Sequence, residues 1–130
     1  PVAQGVLTGK YVPGQPLPEG SRATDTKGGA TMIKRFMNDD VLGRVQALAP
    51  IAADLGLSMA QLAVAWVLQN ANVAAAIIGA SRPEQVAENV KASGVELSAE
   101  IMDAVDAALG DVVVRDPAMT ARNAPAASPV

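Results

Sequence analysis

One short stretch of the sequence constrains the fold more than any other: residues 73–78 form an unbroken apolar run between two stretches of helical periodicity. Continuous apolarity, rather than alternation, is typical of a parallel strand that helices cover on both faces. A lone strand cannot form a sheet, because its backbone N–H and C=O groups need neighbouring strands as partners. The sequence therefore predicts part of a larger α/β structure, whose other strands it does not contain.

Helices are predicted before this run. Over residues 39–55, apolar side chains recur every three or four positions, and Asn38 or Asp39 can cap the start. Ser58 and Gln61 predict a capping box that opens the next helix. That second helix is apolar nearly all round, so we expect it to be heavily buried.

Helices are predicted after the run as well. Ser81 and Glu84 form a second capping-box pattern, with Pro83 in the first turn, where its missing N–H is not needed. This helix is expected to run to about residue 93. Ser98 then caps a last helix, which is expected to stop before the glycine at position 110.

The two ends of the sequence are predicted to be irregular. Gly and Pro are frequent near the start, and residues 5–38 are predicted to form a long loop. The tail, residues 111–130, is rich in Pro, Ala and Ser and is predicted to be flexible. The organised part of the chain is therefore expected to span residues 1–110 as one unit.

Composition excludes several kinds of site. The 130 residues contain no His and no Cys, which removes the commonest general base and the usual zinc ligands. The net charge of −3 disfavours a nucleic-acid or membrane partner, since phosphates need a basic face. No apolar run approaches the ~18 residues of a membrane span. The absence of Cys fits a reducing compartment, and we predict a cytoplasmic protein.

Four blocks of the sequence, in order, resemble the aldo-keto reductase family, in the branch that includes the potassium-channel β subunits. The blocks are residues 3–11, 20–23, 58–68 and 77–89, within a match of about residues 1–109. The resemblance implies a (β/α)8 TIM barrel, a fold of about 250 residues with its site at the C-terminal ends of the strands. This chain would supply the end of strand seven, a long loop, helix seven, strand eight and helix eight.

The resemblance also implies a binding site for NADP. The family's catalytic Asp, Tyr, Lys and His lie on earlier strands with no counterpart here, so no catalytic residue and no metal ligand is predicted. Lys10 and Tyr11 are not that catalytic pair, because they are adjacent in a loop. The residues predicted to bind NADP are Val2, Lys10, Arg22, Gly79, Ser81, Arg82, Gln85, Glu88 and Asn89.

Residue chemistry supports a phosphate site where the apolar run gives way to the next helix. A phosphate group needs cations, backbone N–H groups and a helix N-terminus. Gly79 permits close approach of the backbone, Ser81 offers a hydroxyl, and Arg82 can donate two hydrogen bonds to the 2′-phosphate. Gln85 and Asn89 stand four residues apart on one helix face, within reach of the adenine or its ribose.

Other roles are implied by the resemblance alone. Glu88 would contact the adenine amino group, and Lys10 and Arg22 would hold the pyrophosphate and fold over it. Spacing by itself leaves structural alternatives open: a helix cap at Ser81, a solvated face on the following helix, and ordinary loop charges.

The implied function is NADP-dependent reduction of aldehydes or ketones to alcohols, with a small carbonyl compound as substrate. Because no position matches the family's catalytic residues, this chain alone is predicted to be inactive. A non-catalytic truncated barrel that associates through exposed strand edges is the alternative. A helix-turn-helix at residues 51–58 is disfavoured, because the helix that follows contains no Arg or Lys.

Overall fold

The computed structural model describes residues 1–123, and every regular element in this range is helical. The α-helices are α1 (Gly29–Ile33), α2 (Asp39–Gln46), α3 (Ala49–Asp54), α4 (Met59–Leu68), α5 (Pro83–Val90), α6 (Ala99–Leu109) and α7 (Pro117–Asn123). Short 3-10 helices span Ala3–Thr8, Arg22–Thr24, Lys34–Phe36 and Gly110–Val112. No single helix in residues 1–123 is long and apolar enough to span a membrane. Residues 39–54, which contain α2 and α3, reach that length and apolarity only together with α4, and the two parts are bent by 90° at the break between them.

Helix α4 lies at the centre of the packing. It contacts α3, α5 and the 3-10 helix Ala3–Thr8, and its Leu62 and Ala65 belong to the hydrophobic core. Its predicted capping box is confirmed: Ser58 Oγ accepts a hydrogen bond from Gln61 N (3.2 Å), and Gln61 Oε1 accepts one from Ser58 N (2.9 Å). These bonds satisfy two backbone donors at the helix start, and the helix is heavily buried, as predicted.

The predicted long loop before α2 is only partly irregular. It contains α1 and short 3-10 helices, and its Val6, Tyr11 and Ile33 are each 1% exposed. These side chains pack with Leu42 and Val45 of α2 in the core. Burial of apolar side chains therefore orders a stretch that its Gly and Pro content alone would leave as a loop.

The predicted helix over residues 39–55 is in fact two helices. Asn38 is the N-cap of α2, and its Oδ1 accepts a hydrogen bond from Val41 N (3.0 Å). The chain breaks before α3, where Pro50 occupies the first turn. Proline has no N–H to donate to the preceding turn, and its ring displaces the carbonyl four residues earlier, so a new helix starts there.

The predicted strand is not formed. Residues 73–78 follow an irregular path between α4 and α5, and no residue of the described range lies in a β-strand. Ile77 is 88% exposed, so a large apolar side chain of this run faces solvent. The physical reason is that residues 1–123 hold no second strand with which the run could pair.

The second predicted capping box is wrong in its register. Helix α5 begins at Pro83, so Arg82 is the N-cap, and the third helical residue is Gln85 instead of Glu84. Gln85 Oε1 accepts the hydrogen bond from Arg82 N (3.3 Å) that a capping-box glutamate would accept. Proline is favoured at the first helical position by its fixed φ, which moves the start one residue beyond the one that a Ser81 cap requires.

The C-terminal helices agree better with the sequence. Ser98 is the N-cap of α6, as predicted, and its Oγ accepts a hydrogen bond from Ile101 N (3.3 Å). Helix α5 ends at Val90, earlier than residue 93. Helix α6 ends at Leu109, where the next residue is the expected glycine.

Arg44 joins α2 to the end of α6. Its Nη1 donates a hydrogen bond to Leu109 O (3.3 Å), and its guanidinium pairs with Asp40 and Asp111, each at 2.9 Å. The hydrogen bond with Asp40 raises the pKa of Arg44 above its ordinary value. One side chain thus connects α2 to the end of α6, 65 positions away in the sequence.

The start of the predicted tail contacts the helices. Arg115 pairs with Asp106 of α6 (2.6 Å), and α7 follows it. Flexibility of residues 111–130 stays a prediction, and its last part, residues 124–130, lies outside the described residues.

Candidate functional site

At the start of α5, three hydrogen-bond donors share one acceptor, the side-chain oxygen of Gln85. Gln85 Oε1 accepts from Ser81 N (2.8 Å), Ser81 Oγ (3.2 Å) and Arg82 N (3.3 Å). Ser81 and Arg82 are both exposed, so this group is open to solvent. The three bonds cap the start of α5, and their backbone and hydroxyl donors are of the kinds that can also bind a phosphate oxygen.

The acceptor of these bonds is itself a predicted cofactor residue, the side-chain amide of Gln85. No ligand role of Ser81, Arg82 or Gln85 is tested by these bonds, and their contacts with NADP stay predictions. Arg82 belongs to none of the ion pairs within residues 1–123, so no carboxylate of this part neutralises its charge. Gly79 is also exposed, and a Cβ at this position would meet nothing within 4 Å.

The second half of α5 is held by a buried glutamine. Gln61 of α4 is 4% exposed, and its Nε2 donates to Glu88 O (2.9 Å) and to Glu88 Oε1 (2.7 Å). Glu88 Oε2 accepts from Lys91 Nζ (2.9 Å). The Glu88 side chain remains 45% exposed, and the neighbouring Asn89 is half-buried.

Lys10 lies against its own segment of chain. Its Nζ is 5.3 Å from the centre of the Tyr11 ring, and its side chain passes over Gly5, where a Cβ would lie 3.2 Å from Lys10 Cε. The segment is fixed from α2: Gln46 Nε2 donates to Gly9 O and to Tyr11 O, each at 2.9 Å. The backbone on both sides of Lys10 is therefore held while its side chain stays exposed.

Val2 and Arg22, two further predicted cofactor residues, form hydrogen bonds through their backbone carbonyls. Val2 O accepts from Gly5 N (2.9 Å) and from Leu7 N (3.2 Å), which closes the first turn of the chain. Arg22 O accepts from Asp25 N (3.2 Å), and its side chain is exposed. Both sets of bonds are local turns of the chain, and the roles of Val2 and Arg22 towards a cofactor stay predictions.

The first turn of α4 contacts both parts of the chain that carry predicted cofactor residues: the segment around Lys10 and helix α5. Gly9, next to Lys10, approaches Met59 so closely that a Cβ would lie 3.4 Å from Met59 Cγ. Gln61, in the same turn, bonds to Glu88 of α5. The segment that carries Lys10 and the helix that carries Glu88 therefore both contact the N-terminal turn of α4.

The sequence pattern does not indicate two of these contacts. No local signal marks Gln46, which adjoins the buried Val45 on α2. The capping box at Ser58 explains only the oxygen of the Gln61 amide, whose two N–H donors also need partners. Both residues act through partners that are distant in sequence.

The predicted residues lie outside two cavities of the structure. Two cavities in the described part of the chain have volumes of about 350 and 340 Å³, and none of the predicted residues lines either of them. Within residues 1–123, no group of three or more Asp, Glu, His or Cys residues is placed to hold a metal ion.

Comparison with known proteins gives a consistent family. The model of the aldo/keto reductase family matches residues 1–109. A probable voltage-gated potassium channel subunit beta of Oryza sativa subsp. japonica is 43% identical over 109 residues, which are 82% of this chain and 33% of that protein. A putative voltage-gated potassium channel subunit beta of Schizosaccharomyces pombe is 40% identical over 109 residues, 82% of this chain and 31% of that protein.

A reductase is also among the similar proteins. The L-glyceraldehyde 3-phosphate reductase of Escherichia coli (strain K12) is 38% identical over 96 residues, 71% of this chain and 26% of that protein. The chain thus spans about a third or less of the length of these relatives. With a family match that covers residues 1–109, the chain belongs to the aldo/keto reductase family.

Proposed function

We propose that this chain forms the part of an NADP-dependent aldo-keto reductase that binds the phosphates and adenine of the cofactor. The observation that carries the proposal is the convergence of Ser81 N, Ser81 Oγ and Arg82 N on one acceptor oxygen. A phosphate oxygen that replaced Gln85 Oε1 would accept the same bonds beside a guanidinium. The released Gln85 side chain would then be free to reach the ribose or adenine.

Arg82 would favour NADP over NAD. A guanidinium donates two parallel hydrogen bonds to a phosphate, and only NADP has a phosphate on the 2′ oxygen. Lys10 and Arg22, both exposed, would contribute charge to the pyrophosphate from the other side of the α4 turn. These residues fit the phosphate-bearing end of NADP, and none of them contacts the place of the nicotinamide in this proposal.

The complete enzyme would reduce aldehydes and ketones to alcohols. Bound NADPH supplies a hydride, and the residues that protonate the carbonyl oxygen would lie outside these 130 residues. This chain's own residues would bind and orient the adenylate end of the cofactor. We therefore expect these 130 residues alone to bind NADP weakly and to show no turnover with any small carbonyl substrate.

The reductase assignment has support from the relative named L-glyceraldehyde 3-phosphate reductase. We further propose that the enzyme works in the cytoplasm, in keeping with a chain that contains no Cys. Neither a nucleic acid nor a membrane is proposed as a partner, given the net charge of −3.

A second function, as a non-catalytic interaction module, is favoured by one observation. Ile77 and Val114 are 88% and 72% exposed, and large apolar side chains at such exposure promote association. Residues 73–78 would then pair with a strand of another chain, including a second copy. A chain that sediments as a dimer and binds no NADP would favour this function over the first.

Binding of nucleotides to the chain in solution tests the first function. Amide chemical shifts would be followed during titration with NADP⁺ and, separately, with NAD⁺. We expect Arg82→Met to weaken NADP⁺ binding by about 10- to 100-fold, because a charge-assisted pair of hydrogen bonds is lost, and to leave NAD⁺ binding within about twofold. The matched control is Arg35→Met, whose guanidinium lies over the Phe36 ring, 4.5 Å from its centre, and outside the site.

The titration has a clear negative result. If the unaltered chain shows no shift changes around Ser81 with either nucleotide, the proposal is wrong. Equal weakening of NADP⁺ binding by Arg82→Met and Arg35→Met would also contradict it, since only general charge would then matter.

A further inference from the structure

We propose that Gln61 is a positioning residue, which orients the Glu88 carboxylate for recognition of the adenine amino group. This inference rests on the proposed function, since it concerns the adenine of the same cofactor. Gln61 lies on α4, outside the set of residues expected to touch NADP. Its role would be exerted entirely through Glu88.

The orientation of the Gln61 amide is fixed by its partners. Its Oε1 accepts from Ser58 N (2.9 Å), a donor that requires an oxygen on that side. The Nε2 therefore faces α5, where it donates to both Glu88 O (2.9 Å) and Glu88 Oε1 (2.7 Å). With Gln61 only 4% exposed, water does not compete freely for these groups. Rotation of the amide would break every one of these bonds.

The fixed amide in turn fixes the carboxylate. One Glu88 oxygen is held by the buried Gln61, and the other is paired with Lys91, whose side chain is 67% exposed. The exposed ion pair with Lys91 is weak and readily exchanged, whereas the bond to Gln61 is part-buried and more protected from water. Since 45% of the Glu88 side chain is exposed, its carboxylate retains acceptor positions for a ligand.

A carboxylate held in this way distinguishes two purines. Adenine has an amino group at position 6, which donates to a carboxylate oxygen. Hypoxanthine has an oxygen at that position, which accepts and is repelled by a carboxylate. The structural alternative is that the bond between Gln61 and Glu88 only ties α4 to α5, in which case its loss would weaken both nucleotides alike.

The first experiment compares NADP⁺ with nicotinamide hypoxanthine dinucleotide phosphate, by chemical-shift titration of the whole chain. We expect the unaltered chain to prefer NADP⁺ by about tenfold. Gln61→Met has no donor for Glu88 and also loses its bond to Ser58 N, and we expect the preference to fall to within about twofold. Ser58→Ala is the matched control, since it weakens the same helix cap and leaves the bond between Gln61 and Glu88 intact.

A second variant reports on orientation without altering the buried residue. In Glu88→Gln the new amide would present its oxygen to the Gln61 Nε2, which turns its NH2 group towards the ligand. We therefore expect the preference to reverse, with the hypoxanthine nucleotide bound about two- to fivefold more tightly than NADP⁺. A continued preference for NADP⁺ would mean that Gln61 does not set the orientation.

The outcomes separate this inference from the proposed function. If the unaltered chain binds neither nucleotide, both proposals fail together. If it binds both equally, Glu88 does not recognise the amino group and only this inference fails. If Gln61→Met lowers both affinities but keeps their ratio, the role of Gln61 is structural, and the positioning role is overturned.

Discussion

The segments on the two sides of α4 carry the two halves of the proposed site, yet they are held very differently. Before α4, Val6 and Tyr11 are each 1% exposed, and Gln46 bonds to two carbonyls of the same segment. After α4, none of residues 73–82 is buried, and Ile77 is 88% exposed. The difference teaches that a segment is buried here where the chain itself supplies its packing partners. The segment after α4 has the composition of a buried strand, but residues 1–123 do not supply neighbours that bury it.

The largest expected effect on stability comes from replacing one isoleucine with alanine on each side of α4 and comparing the two variants. Ile33→Ala removes a side chain that is 1% exposed, and we expect it to lower the free energy of unfolding by about 2–5 kcal/mol. Ile77→Ala removes one that is 88% exposed, and we expect a change below about 0.5 kcal/mol. Urea denaturation followed by circular dichroism measures both. Similar losses of unfolding free energy in the two variants would show that residues 73–78 are packed in solution. The contrast between the two segments would then be wrong.

A smaller effect is expected at the side chain that holds the first segment. Gln46→Leu leaves the carbonyls of Gly9 and Tyr11 without their donor, and we expect a loss of about 1–3 kcal/mol in the free energy of unfolding. Gln15→Leu, in an exposed part of the same loop, is the control and should stay within about 0.5 kcal/mol. Hydrogen exchange of the loop amides adds a local measurement. Unchanged exchange around Lys10 in Gln46→Leu would mean that the segment is held by its apolar contacts alone.

Local signals in the sequence predicted the helices well. The caps at Asn38, Ser58 and Ser98 are all observed, because each is a bond between a side chain and a backbone group a few residues away. The cap at Ser81 failed for a local reason too, since Pro83 takes the first helical position and shifts the register by one residue. Hydrogen bonds between residues a few positions apart can therefore be predicted from a sequence, provided that a cap residue and a nearby proline are considered together.

Contacts between distant residues were not predictable in this way. Gln46 reaches carbonyls 35 and 37 positions away, and Gln61 reaches Glu88 across 27 positions. Nothing in the periodicity of α2 or α4 indicates such partners. The apolar run at 73–78 shows a different limit of prediction. Its pattern predicts a buried strand, but strand pairing depends on neighbouring strands that the described residues do not contain. The site residues came from the resemblance and the chemistry of phosphates, and their roles towards NADP remain predictions.

The smallest expected effect is a gain in stability within the more buried of the two segments, the one before α4. The Tyr11 hydroxyl is buried and has no hydrogen-bond partner within residues 1–123, although the ring around it is packed in the core. A buried hydroxyl without a partner is unfavourable by about 1–3 kcal/mol, and its removal leaves only a small void. We therefore expect Tyr11→Phe to raise the free energy of unfolding by about 0.5–1 kcal/mol, measured by urea denaturation against the unaltered chain. A loss of stability instead would show that the hydroxyl has a partner in solution, such as an enclosed water, and that the first segment is held by one polar contact more than the structure contains.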